Sequence, residues 1–554
     1  MKYYLTYFFL LSFLIYSQES TSNEYNMNTA LIIHVDDNRI YRLGIAEMLN
    51  DVFKKSVDGK DIAEITLSNK DKNIRCRGIY HKDEQFYVIK TEDNFDKTTI
   101  TLSVLDENLK EIESKIIFTG ATVGVHSKGE MFFEHNDNGF VLIRNYTNDS
   151  RRVILESYIY NTKEEKLHHS KLNFETNQKL KVLDFDFSNE LQAALILDSD
   201  ISTGTLKGKE LKKLETYLIH LAPEKDITAK KLTEDKVHFD RSYNLAFHNE
   251  ELVVAHLKFH NPSNILAGYV LKQYALNDSD ELIEENSTYF EFSDYAEREE
   301  WGPIKEEVEK QYDKDKNGKG TRYESFGALE ITDLYIENDE AILILRELFH
   351  QKVNDPAMSA NSGMGGNNQH GNQMSKTPMQ TNMTEKRFKE FQIAKLDLRS
   401  EEVLWWNRIY NTPITNGNEY SADLPHNRYF WNDKRINSRE RVYYPYIDGD
   451  KIVLLYPTFK ALYDENGELN NEVVNQRRTF NFSFTVYGLI GKSEINKESG
   501  EVKNSLLLEE IKGAGKATSV NILNINAFYV TEDSVIISSE NGFKRSSELI
   551  VTEK

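Results

Sequence analysis

The stretch Asn136–Asn145 reads NDNGFVLIRN, a polar turn of Asn and Asp followed at once by a run of apolar residues. Such a phrase is typical of a turn that leads into a buried strand. It returns about seven times along the chain, which indicates a repeat architecture. The copies are His81–Lys90, Asn136–Asn145, Ser188–Leu197, His248–Lys258, Asn338–Arg346, Asp448–Tyr456 and Thr531–Ser539.

Most copies are followed by a second, alternating strand and a polar turn, so the repeating unit is a meander of antiparallel strands. These second strands are Thr99–Leu105, Val153–Tyr160, Tyr269–Leu276 and Phe388–Leu398. The first four copies lie roughly 50 to 60 residues apart, which suits a four-stranded blade. We therefore predict an all-β fold, a β-propeller-like closed array of about seven blades. An irregular pair of β-sandwiches is the alternative, because Asn or Asp before a strand is ordinary turn chemistry.

The two ends of the repeat region suggest how the array closes. Only one strand, Phe543–Val551, follows the last phrase, and Ala30–Val35 stands alone near the start. Pairing these two strands would complete the last blade and remove a sheet edge.

Three segments break the strand pattern. Ile40–Val57 spaces its apolar residues as one helical face, and Pro303–Tyr312 has proline and glutamates at its start, so both are predicted helices. Asp355–Thr384 is rich in Gly, Asn, Gln, Ser and Met and is predicted to be a disordered loop. The predicted insertions are therefore 293–325 and 355–384.

The N-terminus predicts export. Lys2 precedes a short apolar run, Leu5–Tyr16, which has the features of a signal peptide over residues 1–17. The mature chain, 18–554, is predicted to be a single domain without a transmembrane segment, located in the periplasm, at the cell surface or outside the cell. Cys76 is the only cysteine, so the predicted exported domain has no internal disulfide and depends on its core.

The composition limits the classes of binding partner that we expect. With 89 acidic against 68 basic residues, the net charge is −21. Nucleic acid and anionic membranes reward clustered Lys and Arg, so neither is an expected partner. The 30 Tyr and 29 Phe residues suit strands.

One basic, aromatic stretch is a candidate ligand site. Arg428–Tyr446 reads RYFWNDKRINSRERVYYPY in an otherwise acidic chain. Stacking and bidentate hydrogen bonding could let it grip a sugar or a carboxylate. The alternative is a long loop whose arginines offset local acids. The candidate ligand-binding residues are Arg428, Trp431, Arg435 and Tyr444.

Two pairs of adjacent residues are further candidates for chemistry. Trp405 and Trp406 are neighbours on a predicted strand and should face opposite sides, one in the core and one exposed. His168 and His169 lie in a predicted charged turn, where solvation is preferred over metal binding. No serine-nucleophile, zinc-protease or phosphate-loop motif is present, so no catalytic residue is assigned.

The segment Asp313–Glu324, DKDKNGKGTRYE, resembles an EF-hand calcium loop. The resemblance implies Ca²⁺ ligands at Asp313, Asp315, Asn317, the Lys319 carbonyl and Glu324, with Gly318 at the sharp turn. Gly320 departs from the family pattern, and a predicted strand, Leu329–Ile336, replaces the exiting helix. We therefore expect an unpaired, structural site with a Kd on the order of 10⁻⁴ to 10⁻³ M.

The predicted disordered loop also collects five methionines and His370. Thioethers select Cu(I), but the methionine spacing is irregular, so a low-complexity linker is preferred over a copper site. The methionines are Met358, Met364, Met374, Met379 and Met383.

Two functions fit these observations. The first is an exported, non-enzymatic binding or scaffold protein that presents a propeller face to a protein or glycan partner of the cell envelope. The second is a propeller hydrolase that acts on polysaccharide. A cluster of two or more carboxylates with Arg or Tyr at the mouth of the central channel would favour the enzyme, whereas only apolar and turn residues there would favour the binding protein.

Overall fold

The computed structural model describes residues 21–553 with gaps. The longer segments outside the described residues are 1–20, 233–242, 292–327, 353–383, 419–443, 459–488 and 509–523. The shorter ones are 26–29, 37–38, 46–50, 58–59, 70–71, 95–96, 122–129, 148–152, 175–179, 207–208, 249–250, 261–264, 278–279, 401, 410–414, 532–533, 542–545 and 554. The described residues form strands and turns.

Seven blades are built from four consecutive strands each, and every neighbouring pair of strands in a blade is antiparallel. The first three blades have these strands: blade 1, β2 (Ala30–Asp36), β3 (Arg39–Ile45), β4 (Asp51–Val57) and β5 (Lys60–Thr66); blade 2, β6 (Ile74–Lys82), β7 (Gln85–Asp93), β8 (Lys97–Leu105) and β9 (Glu111–Ala121); blade 3, β10 (Glu130–Asn136), β11 (Gly139–Thr147), β12 (Val153–Asn161) and β13 (Lys166–Asn173).

The next four blades repeat the pattern, and blade 6 carries one additional short strand. Their strands are: blade 4, β14 (Leu180–Phe187), β15 (Ala193–Leu206), β16 (Lys209–Leu221) and β17 (Thr228–Leu232); blade 5, β18 (Tyr243–His248), β19 (Glu251–His260), β20 (Ile265–Leu276) and β21 (Leu282–Glu291); blade 6, β22 (Ala328–Glu337), β23 (Glu340–Lys352), β24 (Thr384–Asp397), β25 (Val403–Ile409) and β26 (Thr415–Asn418); blade 7, β27 (Tyr444–Asp448), β28 (Lys451–Thr458), β29 (Leu489–Asn496) and β30 (Val502–Leu508).

An eighth four-stranded sheet joins the two ends of the chain. Its strands are β31 (Asn524–Val530), β32 (Ser534–Asn541), β33 (Ser546–Glu553) and β1 (Thr21–Tyr25). The outer strand β1 pairs antiparallel with β33. We call this sheet blade 8.

The core consists of layers between neighbouring blades. Side chains of middle strands are buried on both faces, as in β12, where all residues from Val153 to Tyr160 are buried. The outer strand β13 instead alternates between exposed and half-buried residues. Ile40 of blade 1 packs with Ile536 of blade 8, so the layers close into a ring.

The predicted β-propeller of antiparallel four-stranded meanders is therefore confirmed. Each of the seven turn phrases in the sequence falls at the hairpin between the first two strands of one blade, in blades 2 to 8. None of the turn phrases in the sequence predicted blade 1.

Two sequence predictions near the N-terminus were wrong. Ile40–Val57 is not a helix, because it forms β3 and β4, in which Leu43 and Phe53 are cross-strand partners rather than neighbours on a helical face. Ala30–Val35 does not close the ring, because it pairs with β3 inside blade 1. The closing strand is Thr21–Tyr25.

Several predictions lie outside the described residues. These are the signal peptide, the Pro303–Tyr312 helix and the disordered loop, apart from Thr384, which begins β24. In the part of the chain that the structure describes, no helix is long and apolar enough to span a membrane.

The meander order gives the ring two different ends. Hairpins between first and second strands, and between third and fourth strands, lie at one end, which we call the turn side. Connections between second and third strands, and the links from one blade to the next, start and finish at the other end, which we call the loop side.

Candidate functional site

The turn side is built from tight, self-capped turns. Where the third strand of a blade turns into the fourth, an Asn or Asp oxygen repeatedly accepts hydrogen bonds from backbone N–H groups two to four residues ahead. This is Asx-turn chemistry, which fixes the loop without a partner. The capping residues are Asp106, Asn161, Asn277, Asp397 and Asn496.

Charged side chains on the turn side join several neighbouring blades. Lys115 Nζ lies 2.8 Å from Glu165 Oε2, and Lys225 Nζ lies 2.5 Å from Asp280 Oδ1. Lys166 forms the equivalent ion pair with Glu224 between blades 3 and 4. Exposed pairs of this kind contribute little individually. These three pairs engage six charged side chains of the turn side in contacts within the ring.

Acidic side chains of the inner strand β14 hydrogen-bond to the backbone of the next blade. Asp184 Oδ2 accepts from the Leu245 N–H at 2.7 Å, and Asp186 Oδ2 accepts from the Phe247 N–H at 3.0 Å. Both donors belong to β18, the inner edge strand of blade 5. These carboxylates satisfy an edge that has no further strand, which is a structural task.

Histidines gather on the inner strands near the turn side. His34 of β2 stacks on His81 of β6 with ring centroids 3.6 Å apart, and His135 of β10 stacks on Tyr80 at 4.6 Å. Burial lowers the pKa of His34 and of His135 from 6.5 to about 4. The rings are therefore neutral at pH 7 and act as aromatic packing groups.

A polar cluster lies between blades 2 and 3 at the loop side. Asp93, the last residue of β7, receives Arg77 Nη2 and Arg144 Nη1, each at 3.4 Å, on its two oxygens. Thr98 Oγ1 donates to Asp93 Oδ1 at 2.8 Å, and Thr91 Oγ1 accepts from Arg77 Nε at 2.8 Å. We call these five residues the arginine cluster.

Glu156 extends the polar layer outward within blade 3. Tyr146 and Tyr158 each donate a hydroxyl hydrogen bond to it at 3.0 Å, and Lys171 Nζ lies 3.3 Å away. Burial, followed by the charge of Glu156, raises the pKa of both tyrosines, so they remain hydrogen-bond donors. Arg144 lies opposite Glu156 in the strand register.

Together with the arginine cluster, these residues form a layer of two carboxylates, two arginines and two tyrosines, which we call the Glu156 layer. Glu156 lies on β12, the third strand of blade 3, and not at the mouth of the central channel, where such a cluster would favour an enzyme. Sequence reasoning missed this layer. A signal was present: Arg144 follows Phe140–Ile143, and Glu156 interrupts the apolar run Val153–Tyr160. Charges inside buried strands are rarely found without partners or function.

The predicted calcium residues Asp313, Asp315, Asn317, Lys319 and Glu324 lie outside the described residues, as do Arg428, Trp431 and Arg435. Tyr444 is described and begins the inner strand β27 at the loop side, where its ring lies 6.0 Å from that of Tyr446. In the described ranges, no group of three or more His, Cys, Asp or Glu side chains could hold a metal ion.

The paired tryptophans and histidines differ in part from expectation. Trp405 and Trp406 face opposite layers as predicted, but both are buried, because both surfaces of β25 pack against neighbouring blades. His168 and His169 lie on strand β13 rather than in a turn. The His169 ring stacks on Tyr158 at 4.8 Å.

No family profile matches the sequence, and no curated protein is detectably related to it. Among solved structures, the chain is similar to the WD40 domain of SCAP from fission yeast, with 9% identity, 97% of this chain and 98% of that chain covered, and a TM-score of 0.36. It is also similar to the polysaccharide lyase Uly1, with 10% identity, 94% and 89% covered, and a TM-score of 0.35. Likenesses this distant carry no argument about function.

Proposed function

We propose that the protein is an exported, non-enzymatic binding or scaffold protein of the cell envelope, whose loop side is the face that meets a protein or glycan partner. The observation that carries the proposal is the asymmetry of the ring. The described strands that flank the five longest internal gaps all have the flanking end at the loop side, and these gaps are 292–327, 353–383, 419–443, 459–488 and 509–523. Binding residues are disproportionately found on such connections, held by a rigid scaffold.

The turn side has fewer groups available to bind a partner. Turns such as those at Asp106 and Asn277 cap themselves, and charged side chains such as Lys115 and Lys225 are engaged between blades. The acidic residues Asp184 and Asp186 are hydrogen-bonded to backbone N–H groups, which supports a scaffold role for that part of the inner ring.

Site-directed cross-linking tests the proposal. Cys76 is buried, and burial raises the pKa of its thiol, so one added surface cysteine is the reactive thiol of the chain. Lys97→Cys and Asn173→Cys carry a photo-reactive maleimide on the loop side, and Lys163→Cys and Ser400→Cys carry it on the turn side. All four positions are exposed.

After irradiation in native envelopes, we expect one protein or glycan adduct from both loop-side variants and none from the turn-side pair. Lys97→Cys and Lys163→Cys form the matched comparison, because each replaces one exposed lysine. Equal labelling from both sides would contradict the proposal.

The glycan-hydrolase alternative would draw on the carboxylates of the Glu156 layer, and it has its own assay. The protein is incubated with a panel of envelope and matrix polysaccharides, and chain length is followed by size-exclusion chromatography. Shortening by the wild type that is absent in Glu156→Gln would support the enzyme and reject the binding protein. Unchanged chain lengths for every polysaccharide would support the binding protein.

A calcium site at Asp313–Glu324 is part of the proposal, on the strength of the EF-hand resemblance. We expect millimolar Ca²⁺ to raise the melting temperature of the wild type through preferential binding to the folded state. The double variant Asp313→Ala, Glu324→Ala should lose the effect, whereas Asp226→Ala, an exposed aspartate on the turn side, should keep it. Indistinguishable calorimetric heats for wild type and double variant would reject the site.

A further inference from the structure

We infer that the arginine cluster is an oxyanion-binding site, which receives a carboxylate, sulfate or phosphate group of an acidic ligand. The inference deepens the proposed function, since it rests on the loop side being the ligand face and names the chemistry of the ligand. The donors are the guanidinium groups of Arg77 and Arg144.

The first argument is the ratio of charges. In the cluster, two guanidinium groups share one carboxylate, that of Asp93. The opposite ratio holds on the turn side, where Arg39 pairs with both Asp36 and Glu107. Glu156, opposite Arg144 in the strand register, is paired with Lys171. With this pair included, three cationic side chains accompany two carboxylates, which leaves one positive charge in excess.

The second argument is the set of donors that remains. Toward described residues, Arg144 donates hydrogen bonds through Nη1, and Arg77 through Nε and Nη2. Arg144 Nη2 and Arg77 Nη1 donate none within that same part of the chain. Arginine presents five N–H donors in a rigid planar fork, which matches the oxygens of carboxylate, sulfate and phosphate.

The third argument is preorganisation together with access. Thr98 Oγ1 accepts from Arg144 Nη1 at 3.2 Å, and the Arg144 guanidinium lies 4.8 Å above the Tyr146 ring. The Arg144 side chain is only 5% exposed, so it does not have to be ordered when a ligand arrives. Asp93 and Arg77 are 23% and 14% exposed, so solvent reaches the cluster.

Asp93 is the internal competitor for the anion, which makes its amide variant diagnostic. Asp93→Asn keeps the shape and removes the charge, and both guanidinium groups then lack their carboxylate. An added anion should bind this variant more tightly than wild type. A cluster with a purely structural role predicts only that Asp93→Asn is less stable.

Calorimetric titration at pH 7 with sodium sulfate, against sodium chloride of equal ionic strength, tests the inference. We expect specific sulfate binding by wild type, binding at least about tenfold tighter by Asp93→Asn, and loss of at least about tenfold in Arg77→Gln and Arg144→Gln, since hydrogen bonds to charged groups contribute about 1.5–3 kcal/mol each. Arg399→Gln, an exposed arginine on the turn side, is the matched control and should bind as wild type does.

Parallel titrations with phosphate and glucuronate identify the source of the oxyanion, as sulfate ester, phosphate ester or uronate. If Arg144→Gln does not fold, the comparison of sulfate binding by wild type and by Asp93→Asn still decides whether the arginine cluster binds an oxyanion. Sulfate heats equal to those of chloride in both proteins overturn the inference, as does binding retained in Arg77→Gln. Loop-side cross-linking can succeed while sulfate fails to bind, so the two proposals fail separately.

Discussion

Individual residues determine how closely the blades approach each other. Gly139 opens β11 directly after the turn of blade 3, and a Cβ atom there would lie 1.9 Å from the Tyr160 carbonyl oxygen and 3.0 Å from Leu191 of blade 4. No side-chain rotation removes a contact with backbone. The position therefore requires glycine for space, whereas Gly449 requires it for conformation, with φ of 58° and no atom within 4 Å.

Replacing these two glycines separates the two requirements. We expect Gly139→Ala to lower the free energy of unfolding by about 2 kcal/mol or more, because β11 and β12 must shift apart. Gly449→Ala should lower it by only about 1 kcal/mol, the cost of a left-handed alanine. Urea denaturation of both variants measures the difference. Equal losses would show that crowding at Gly139 has no energetic effect.

Strands and turns were the elements that the sequence predicted best. An Asn or Asp turn before a buried run signals a hairpin locally, and seven such phrases located seven blades. The sequence did not predict blade 1, because its apolar residues also fit a helical spacing. Only the pairing of residues from separate strands, such as Leu43 with Phe53, distinguishes a strand pair from a helix. The sequence did not predict the arginine cluster either, because Arg77 and Arg144 are distant in sequence and meet only after blades 2 and 3 pack together.

The inner edge of blade 5 depends on the side chain of Asp184. Asp184→Ala should lower the free energy of unfolding by about 1–3 kcal/mol, because it leaves the buried Leu245 N–H without its acceptor. Hydrogen exchange should accelerate at the Leu245 amide more than at amides of blade 2. Asp226→Ala, which removes an exposed aspartate, is the control. An unchanged exchange rate at Leu245 would rule out the capping role.

At the scale of the whole molecule, buried neutral histidines make the stability of the ring depend on pH. Burial lowers the pKa of His34, His135 and His220 to about 4, below the unfolded value of 6.5. Between pH 6.5 and 4 the unfolded chain therefore binds more protons than the folded one. The stability that these groups contribute is fully present above pH 6.5 and is lost as the pH falls toward 4.

We therefore expect the urea midpoint to fall steeply between pH 6.5 and 4. His135→Phe keeps the stacking on Tyr80 without a titrating group, so it should recover on the order of 2 kcal/mol of that loss. His168→Gln on the outer strand β13 should follow the wild-type profile. A pH profile of His135→Phe that coincides with wild type would contradict this assignment.

Closure of the ring depends on a strand of five residues. Thr21–Tyr25 pairs with Ser547–Val551, and this pairing ties together ends that are more than 500 residues apart in sequence. A chain that begins at residue 27 would leave blade 8 with three strands and expose the β33 edge to other molecules. It would also lose the restraint that the closed ring places on opening between blades 8 and 1.

Compared with a chain that begins at residue 21, the shortened chain should melt several degrees lower and unfold faster, because opening between blades 8 and 1 would no longer require breaking a sheet. The exposed edge should also cause concentration-dependent association, measurable by light scattering. If both chains melt at the same temperature and remain monomeric, packing of Ile40 on Ile536 closes the ring by itself.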